Sequence, residues 1–149
     1  MAYRHLLREG RLRTHRTAAN EIARLFAVAE RDLADAAVRQ LSPDRRFATA
    51  YNAVLQAATI IMYSEGYRTR GTGHHATTFD FLALVDERFS DLSAYFHDCR
   101  RKRNIADYVG VGYVSETEAT ELVREAAIFV AQVRQWLRRH HPELAGIGG

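Results

Sequence analysis

Phe47-Ala48-Thr49-Ala50-Tyr51-Asn52-Ala53-Val54-Leu55-Gln56-Ala57-Ala58-Thr59-Ile60-Ile61-Met62-Tyr63 contains no charged side chain. Wound as a helix, it spreads Tyr51, Val54, Leu55, Ala58, Ile60, Ile61 and Met62 round the circumference. A helix that is apolar on most sides is buried on most sides. Ser42-Pro43 supplies an N-cap and a proline at the first helical position, and Gly66 stops the helix after Glu65. The stretch therefore reads as the central helix of an all-α bundle. Asn52 and Gln56, one turn apart, are its polar exceptions. They suit a hydrogen bond across the core or a site.

Working outward, the preceding helix is expected from about Thr17 to Leu41. Ile22, Leu25, Phe26, Ala29, Leu33 and Ala36 recur at helical spacing, with Arg24, Glu30, Arg31, Asp35 and Arg39 on the other faces. Residues 1–16 form a basic N-terminal arm carrying Arg4, Arg8, Arg11, Arg13 and Arg16, with Tyr3, Leu6, Leu7 and Leu12 able to anchor a short helix. The arm reads either as a partly ordered, solubilising terminus or as a contact for nucleic acid or a partner.

On the other side of the central helix, Gly66 to His75 holds three glycines and no periodicity, so a loop is expected. It lacks the Gly-Lys-Ser/Thr that closes a phosphate loop. His74 and His75 are adjacent and would point about 100° apart on a helix, poor geometry for a shared metal. The expectation is no metal and no cofactor, with a histidine that caps or packs the next helix. Thr77-Thr78-Phe79-Asp80 resembles a capping box and opens a short helix from Phe79 to about Phe89. Ser90-Asp91 starts the fourth helix, and Val109-Gly110-Val111-Gly112-Tyr113-Val114 is expected to pack as a loop after it. Ser115-Glu116-Thr117-Glu118 is a second capping box, opening a last helix that runs to about His141. His140 and His141 should be exposed there, and residues 142–149 loose. The sum is an antiparallel helical bundle over residues 17–141, with four long helices and one short one.

The totals agree. At 149 residues the chain is one domain long, and 47% hydrophobic with 26% charged residues is an ordinary globular balance. Two prolines favour helix throughout. A net charge of +3 permits contact with phosphate without demanding it. The single cysteine, Cys99, excludes an intrachain disulfide and suits a reducing cytoplasm. No apolar run approaches the roughly 20 residues of a membrane span, and no secretory signal is expected.

The chemistry concentrates in Asp98-Cys99-Arg100-Arg101-Lys102-Arg103-Asn104-Ile105-Ala106-Asp107-Tyr108, late in the fourth helix. Leu92, Phe96, Cys99 and Ala106 define its apolar line, and Arg103 falls at the centre of that line. Arg100, Asn104 and Tyr108 form the adjacent row. A guanidinium in an apolar position needs a partner, since burying an unpaired charge costs several kcal/mol. The partner is either Asp107 one turn on, another helix, a second subunit or a ligand.

The order of helices, the His75-Ala76-Thr77-Thr78-Phe79 loop and the Arg103-Asn104-Ile105-Ala106-Asp107-Tyr108 motif together resemble the HEPN family of α-helical domains. The resemblance covers about residues 17–141. It implies a homodimer with the motif helices near the two-fold axis. Catalytic HEPN proteins are metal-independent ribonucleases with an R-x(4–6)-H motif, in which the arginine holds the scissile phosphate and the histidine handles a proton. Here Tyr108 stands in the histidine position. A tyrosine, with an ordinary pKa near 10, is a poor base at neutral pH. The resemblance thus implies a protein that binds RNA, a nucleotide or a protein partner and is catalytically weak or silent. Arg103, Asn104 and Tyr108 would form its site, Asp107 would orient them, and Arg100, Arg101 and Lys102 would contact nucleic acid. Some HEPN toxins are paired with a small nucleotidyltransferase antitoxin that adds AMP to a tyrosine, for which Tyr108 and Tyr113 are the candidates. A ribonuclease toxin and a non-catalytic dimeric adaptor are the alternatives.

Overall fold

The computed structural model describes residues 2–146. Its helices are α1 (Arg4–Arg8), α2 (Ala19–Ala36), α3 (Pro43–Ser64), α4 (His74–Val85), α5 (Ser90–Val109), α6 (Glu116–His140) and α7 (Pro142–Ala145). Two short strands, β1 (Leu12–Thr14) and β2 (Tyr67–Thr69), pair antiparallel. The fold is all-α, with four long helices and a shorter α4.

The uncharged stretch forms α3, and α2, α4, α5 and α6 all pack on it. Ser42 caps it by accepting the Arg45 N–H at 3.3 Å, and Pro43 opens it. Ala50, Ala53, Val54, Ala57, Ile60 and Ile61 are completely buried along it. The Ser115 capping box is complete: Glu118 N–H donates to Ser115 Oγ at 3.1 Å, and Ser115 N–H donates to Glu118 Oε1 at 2.9 Å. Phe96 joins three helices at the core's centre, its ring 5.8 Å from Phe79 of α4 and 4.9 Å from Phe129 of α6. Ring pairs of this kind add to simple area burial.

Two buried charged residues, Asp32 and Arg46, tie the long helices together. Asn52 Nδ2 donates to Asp32 Oδ2 at 2.6 Å, the cross-core bond that its place on α3 suggested. The buried Arg46 donates from Nε to the Ala36 carbonyl at 3.0 Å and from Nη1 to Glu116 Oε1 at 2.9 Å. One guanidinium therefore closes the C-terminus of α2, where orphan carbonyls need donors, and reaches the first turn of α6. Replacing it with methionine keeps much of the volume but strands the Ala36 carbonyl. Arg46→Met is expected to lower unfolding free energy by about 2 kcal/mol in urea titration, within the range for a buried acceptor left unpaired.

The structure adds to the sequence reading and departs from it in several places. The expected loop after Gly66 contains β2, because its partner β1 lies more than fifty residues earlier and only tertiary pairing reveals it. The basic N-terminal stretch holds the short helix its leucines could anchor: α1 forms there, Leu6 and Leu12 are buried, and the Tyr3 ring sits 4.4 Å from Phe81. Helix α4 begins at His74, not Phe79: Gly73, at φ +70°, turns the chain into the helix, and Thr78 spends its hydroxyl on the His74 carbonyl rather than on a cap. Helix α2 stops at Ala36, where Arg46 takes its last carbonyl. The loop after Gly110 packs only Val114 into the core, and Val111 stands clear of it. Its backbone is pinned by Asp44, which accepts the Gly112 and Val114 N–H groups at 3.0 and 3.3 Å, while Val111 is 97% exposed.

His141 is likewise half-buried instead of exposed, held by Glu65 at 2.9 Å and set against Trp136. Of the tail expected to be loose, residues 142–145 form α7 against the core, and residues 147–149 lie outside the described part. Among the described residues, no helix is long and apolar enough to cross a membrane.

Candidate functional site

The four consecutive cations of α5 fan out in different directions. Arg101 pairs with Asp98 on the exposed face. Lys102 turns toward α6, where it pairs with Glu118 at 2.6 Å and lies 4.4 Å over the Tyr113 ring. Arg100 and Arg103 face α3 and α4. The Arg103 guanidinium lies 5.5 Å over the ring of Tyr51. Its Nε is 3.8 Å from Asp107 Oδ2, close enough for attraction and too far for a hydrogen bond. Arg100 Nε and Arg103 Nε are both buried without a hydrogen-bond acceptor.

Beside these guanidinium groups stands a pair that sequence reasoning did not connect. The Tyr51 hydroxyl is 2.9 Å from His75 Nδ1. Tyr51 comes from the middle of α3 and His75 from the first turn of α4, whose N-terminus has no side-chain cap. Burial raises the Tyr51 pKa well above its ordinary value, so the phenol keeps its proton. His75 Nδ1 is its one hydrogen-bond partner among the described residues. A buried hydroxyl with one partner donates to it, because the reverse leaves the O–H unsatisfied. The His75 pKa is lowered by burial first, and then by Arg103, Arg100 and His74. His75 is therefore neutral near pH 7, accepts at Nδ1 and carries its hydrogen on Nε2. Arg100 and Arg103 thus lie near enough to the Tyr51–His75 pair to act on both rings electrostatically, and each keeps a buried Nε without an acceptor.

The rest of the motif lies further along α5. Asn104, Asp107 and Tyr108 are exposed, Tyr108 at 93%, and Tyr113 is partly covered by Lys102. Beyond Arg103 a shallow cleft is lined by Asp44, Phe47, Arg103, Ala106, Asp107 and Val114. The histidine of α5, His97, is tied to Asp80 at 2.9 Å, and Arg11 holds the other oxygen of that carboxylate. Cys99 is buried, which pushes its thiol up to about 12 and keeps it unreactive at neutral pH. Among the described residues no three His, Cys, Asp or Glu side chains gather as a metal site.

The motif helix of this bundle turns Arg103 toward the cleft and leaves Asn104 on the exposed side, and the bundle with its Arg103-Asn104 motif has a match among the HEPN domains. The chain belongs to that family: the family model described as SAV_6107-like HEPN matches residues 36–134, from the end of α2 to the last third of α6. No curated protein and no solved structure matches the chain.

Proposed function

We propose that this HEPN protein grips a phosphate of RNA through Arg100 and Arg103, with His75 as a third donor, and holds the strand without cutting it. The observation that carries this reading is the pair of buried guanidinium Nε atoms with no acceptor. Such donors cost stability when left unmade, and a phosphate supplies the bidentate acceptor that arginine geometry fits. HEPN membership supports RNA as the polymer. The tautomer of His75 argues against cleavage: an imidazole that accepts from Tyr51 at Nδ1 has a hydrogen, not a lone pair, on Nε2, so it cannot take a proton from a 2′-hydroxyl there.

The exposed apolar end of α5 and the following loop, with Ile105, Tyr108, Val109 and Val111, supports a homodimer built through that end. It would place two Arg103 clefts near each other. Tyr108 is also open to a modifying partner, and a pairing with a small nucleotidyltransferase is the cellular setting this would fit.

Purified protein incubated with total RNA tests the reading. The expected result is a shifted RNA band with no new fragments after prolonged incubation. Fragments that disappear in the Arg103→Ala variant would overturn it in favour of a ribonuclease.

A further inference from the structure

The two-stranded ribbon is charged in a way that folding alone disfavours. In the β1–β2 register Arg13 lies directly opposite Arg68. Like charges at directly opposed positions destabilise a strand pair. Two pairs further along, Arg70 faces Arg11 across a 2.8 Å backbone hydrogen bond. Arg11 is neutralised by Asp80 and Glu9. Arg13, Arg68 and Arg70 have no acidic partner among the described residues. The acids on neighbouring elements, Glu21 and Glu65, are taken by His15 and His141 at 2.8 and 2.9 Å. A groove lined by Arg13, Tyr63, Arg68, Thr69, Arg70 and His74 runs along this surface.

The groove reaches the first turn of α4. Thr69 of β2 is 2.6 Å from His74 Nδ1. The next residue, His75, is the histidine held by Tyr51 beneath Arg103. The first turn of α4 therefore carries one histidine against the ribbon groove and the next against Tyr51. A row of separated positive charges matches a flexible polymer bearing one negative charge per unit.

We infer that the β1–β2 ribbon is a second RNA contact, in which Arg13, Arg68 and Arg70 track the backbone of the strand whose phosphate Arg103 grips. This rests on the reading of Arg103 as a phosphate-binding residue, and it adds a surface outside the motif helix. The residues that do the work differ in kind. Arg103 sets where one phosphate sits, whereas the ribbon lengthens the contact and makes it more salt-dependent.

The test measures fluorescence anisotropy of the full chain with a single-stranded RNA of about 12 nucleotides and with a dinucleotide, over a range of salt. The Arg13→Ala/Arg68→Ala double variant should flatten the salt slope for the longer RNA by about 1.4 and weaken it about 20-fold at 0.1 M salt. Its dinucleotide affinity should not change. Arg103→Ala should weaken both ligands. R68E places opposite charges across the ribbon, so it should melt no lower than the wild type while losing the longer RNA at least as severely.

A double variant that keeps the wild-type slope and affinity overturns the ribbon contact and leaves the Arg103 reading intact. An Arg103→Ala variant that keeps both affinities overturns the Arg103 reading and, with it, the single-strand path drawn here. Wild-type protein that binds neither RNA overturns both. Equal competition by polyglutamate of the same length would make the ribbon a surface for acidic chains and overturn the assignment to RNA.

Discussion

Arg103→Ala should lose RNA affinity by roughly 30- to 150-fold, the equivalent of about 2 to 3 kcal/mol for charge-assisted bonds to one phosphate. The same change should leave thermal stability within about 0.5 kcal/mol of the wild type. The two halves of this expectation separate a binding residue from a structural one. As a structural residue Arg103 would act through Asp107, but their 3.8 Å contact makes no hydrogen bond and Asp107 is largely exposed. Ion pairs of that kind contribute little. Removing the guanidinium also removes a buried Nε without an acceptor, which offsets part of the lost packing over Tyr51. Anisotropy and thermal melting on the same samples check both halves. A large fall in melting temperature with unchanged RNA affinity would mark Arg103 as part of the scaffold.

Affinity for the dinucleotide should also rise as pH falls from about 7.5 toward 5.5, by at most tenfold per pH unit. In the free protein His75 is held below its ordinary value by burial and then by Arg103 and Arg100. A phosphate seated between those groups favours the imidazolium and raises the His75 pKa. Between the free and bound values binding takes up a proton, so acid strengthens it. Above the ordinary histidine range neither state is protonated and the profile is flat. Folding stability has the opposite sign. The native state holds His75 neutral, so its contribution is full above the ordinary histidine pKa and falls as the unfolded chain takes up protons below it. His75→Gln keeps an N–H donor at the site without a titrating ring, and should abolish the rise while retaining most of the affinity at pH 7.5. An unaltered pH profile in that variant would remove His75 from the site.

The bundle was legible because each long helix announces itself locally. The uncharged run of α3, the Ser42-Pro43 start and the Ser115–Glu118 capping box are short-range signals, and each forms the element it predicts. What the sequence hid was long-range pairing. Strand β2 looks like a glycine loop until Leu12–Thr14 lies beside it. The start of α4 is disguised because Thr77 and Thr78 imitate a cap, whereas Gly73 makes the turn four residues earlier and both threonines are buried.

The site was legible in part for the same reason. Arg103 stood out because a guanidinium interrupts an apolar line on its own helix. His75 and Tyr51 each had an innocent explanation, one as a helix start and the other as core. Only folding sets Tyr51 Oη against His75 Nδ1, beneath a side chain from a third helix. Tyr108 drew attention by standing where HEPN ribonucleases have histidine, yet its ring points into open solvent at 93% exposure. The imidazole beside Arg103 comes from α4 instead.

The central claim is that Arg100, Arg103 and a neutral, Nε2-protonated His75 converge as donors on one phosphate. Long-range nitrogen–proton NMR of the histidine rings tests it most directly, with His75→Gln providing the assignment. At pH 7.5 the account expects the His75 ring as the Nε2–H tautomer, and a marked shift of Nε2 when the dinucleotide is added, absent in Arg103→Ala. A His75 ring found as the Nδ1–H tautomer, or one that does not respond to the dinucleotide, would contradict it.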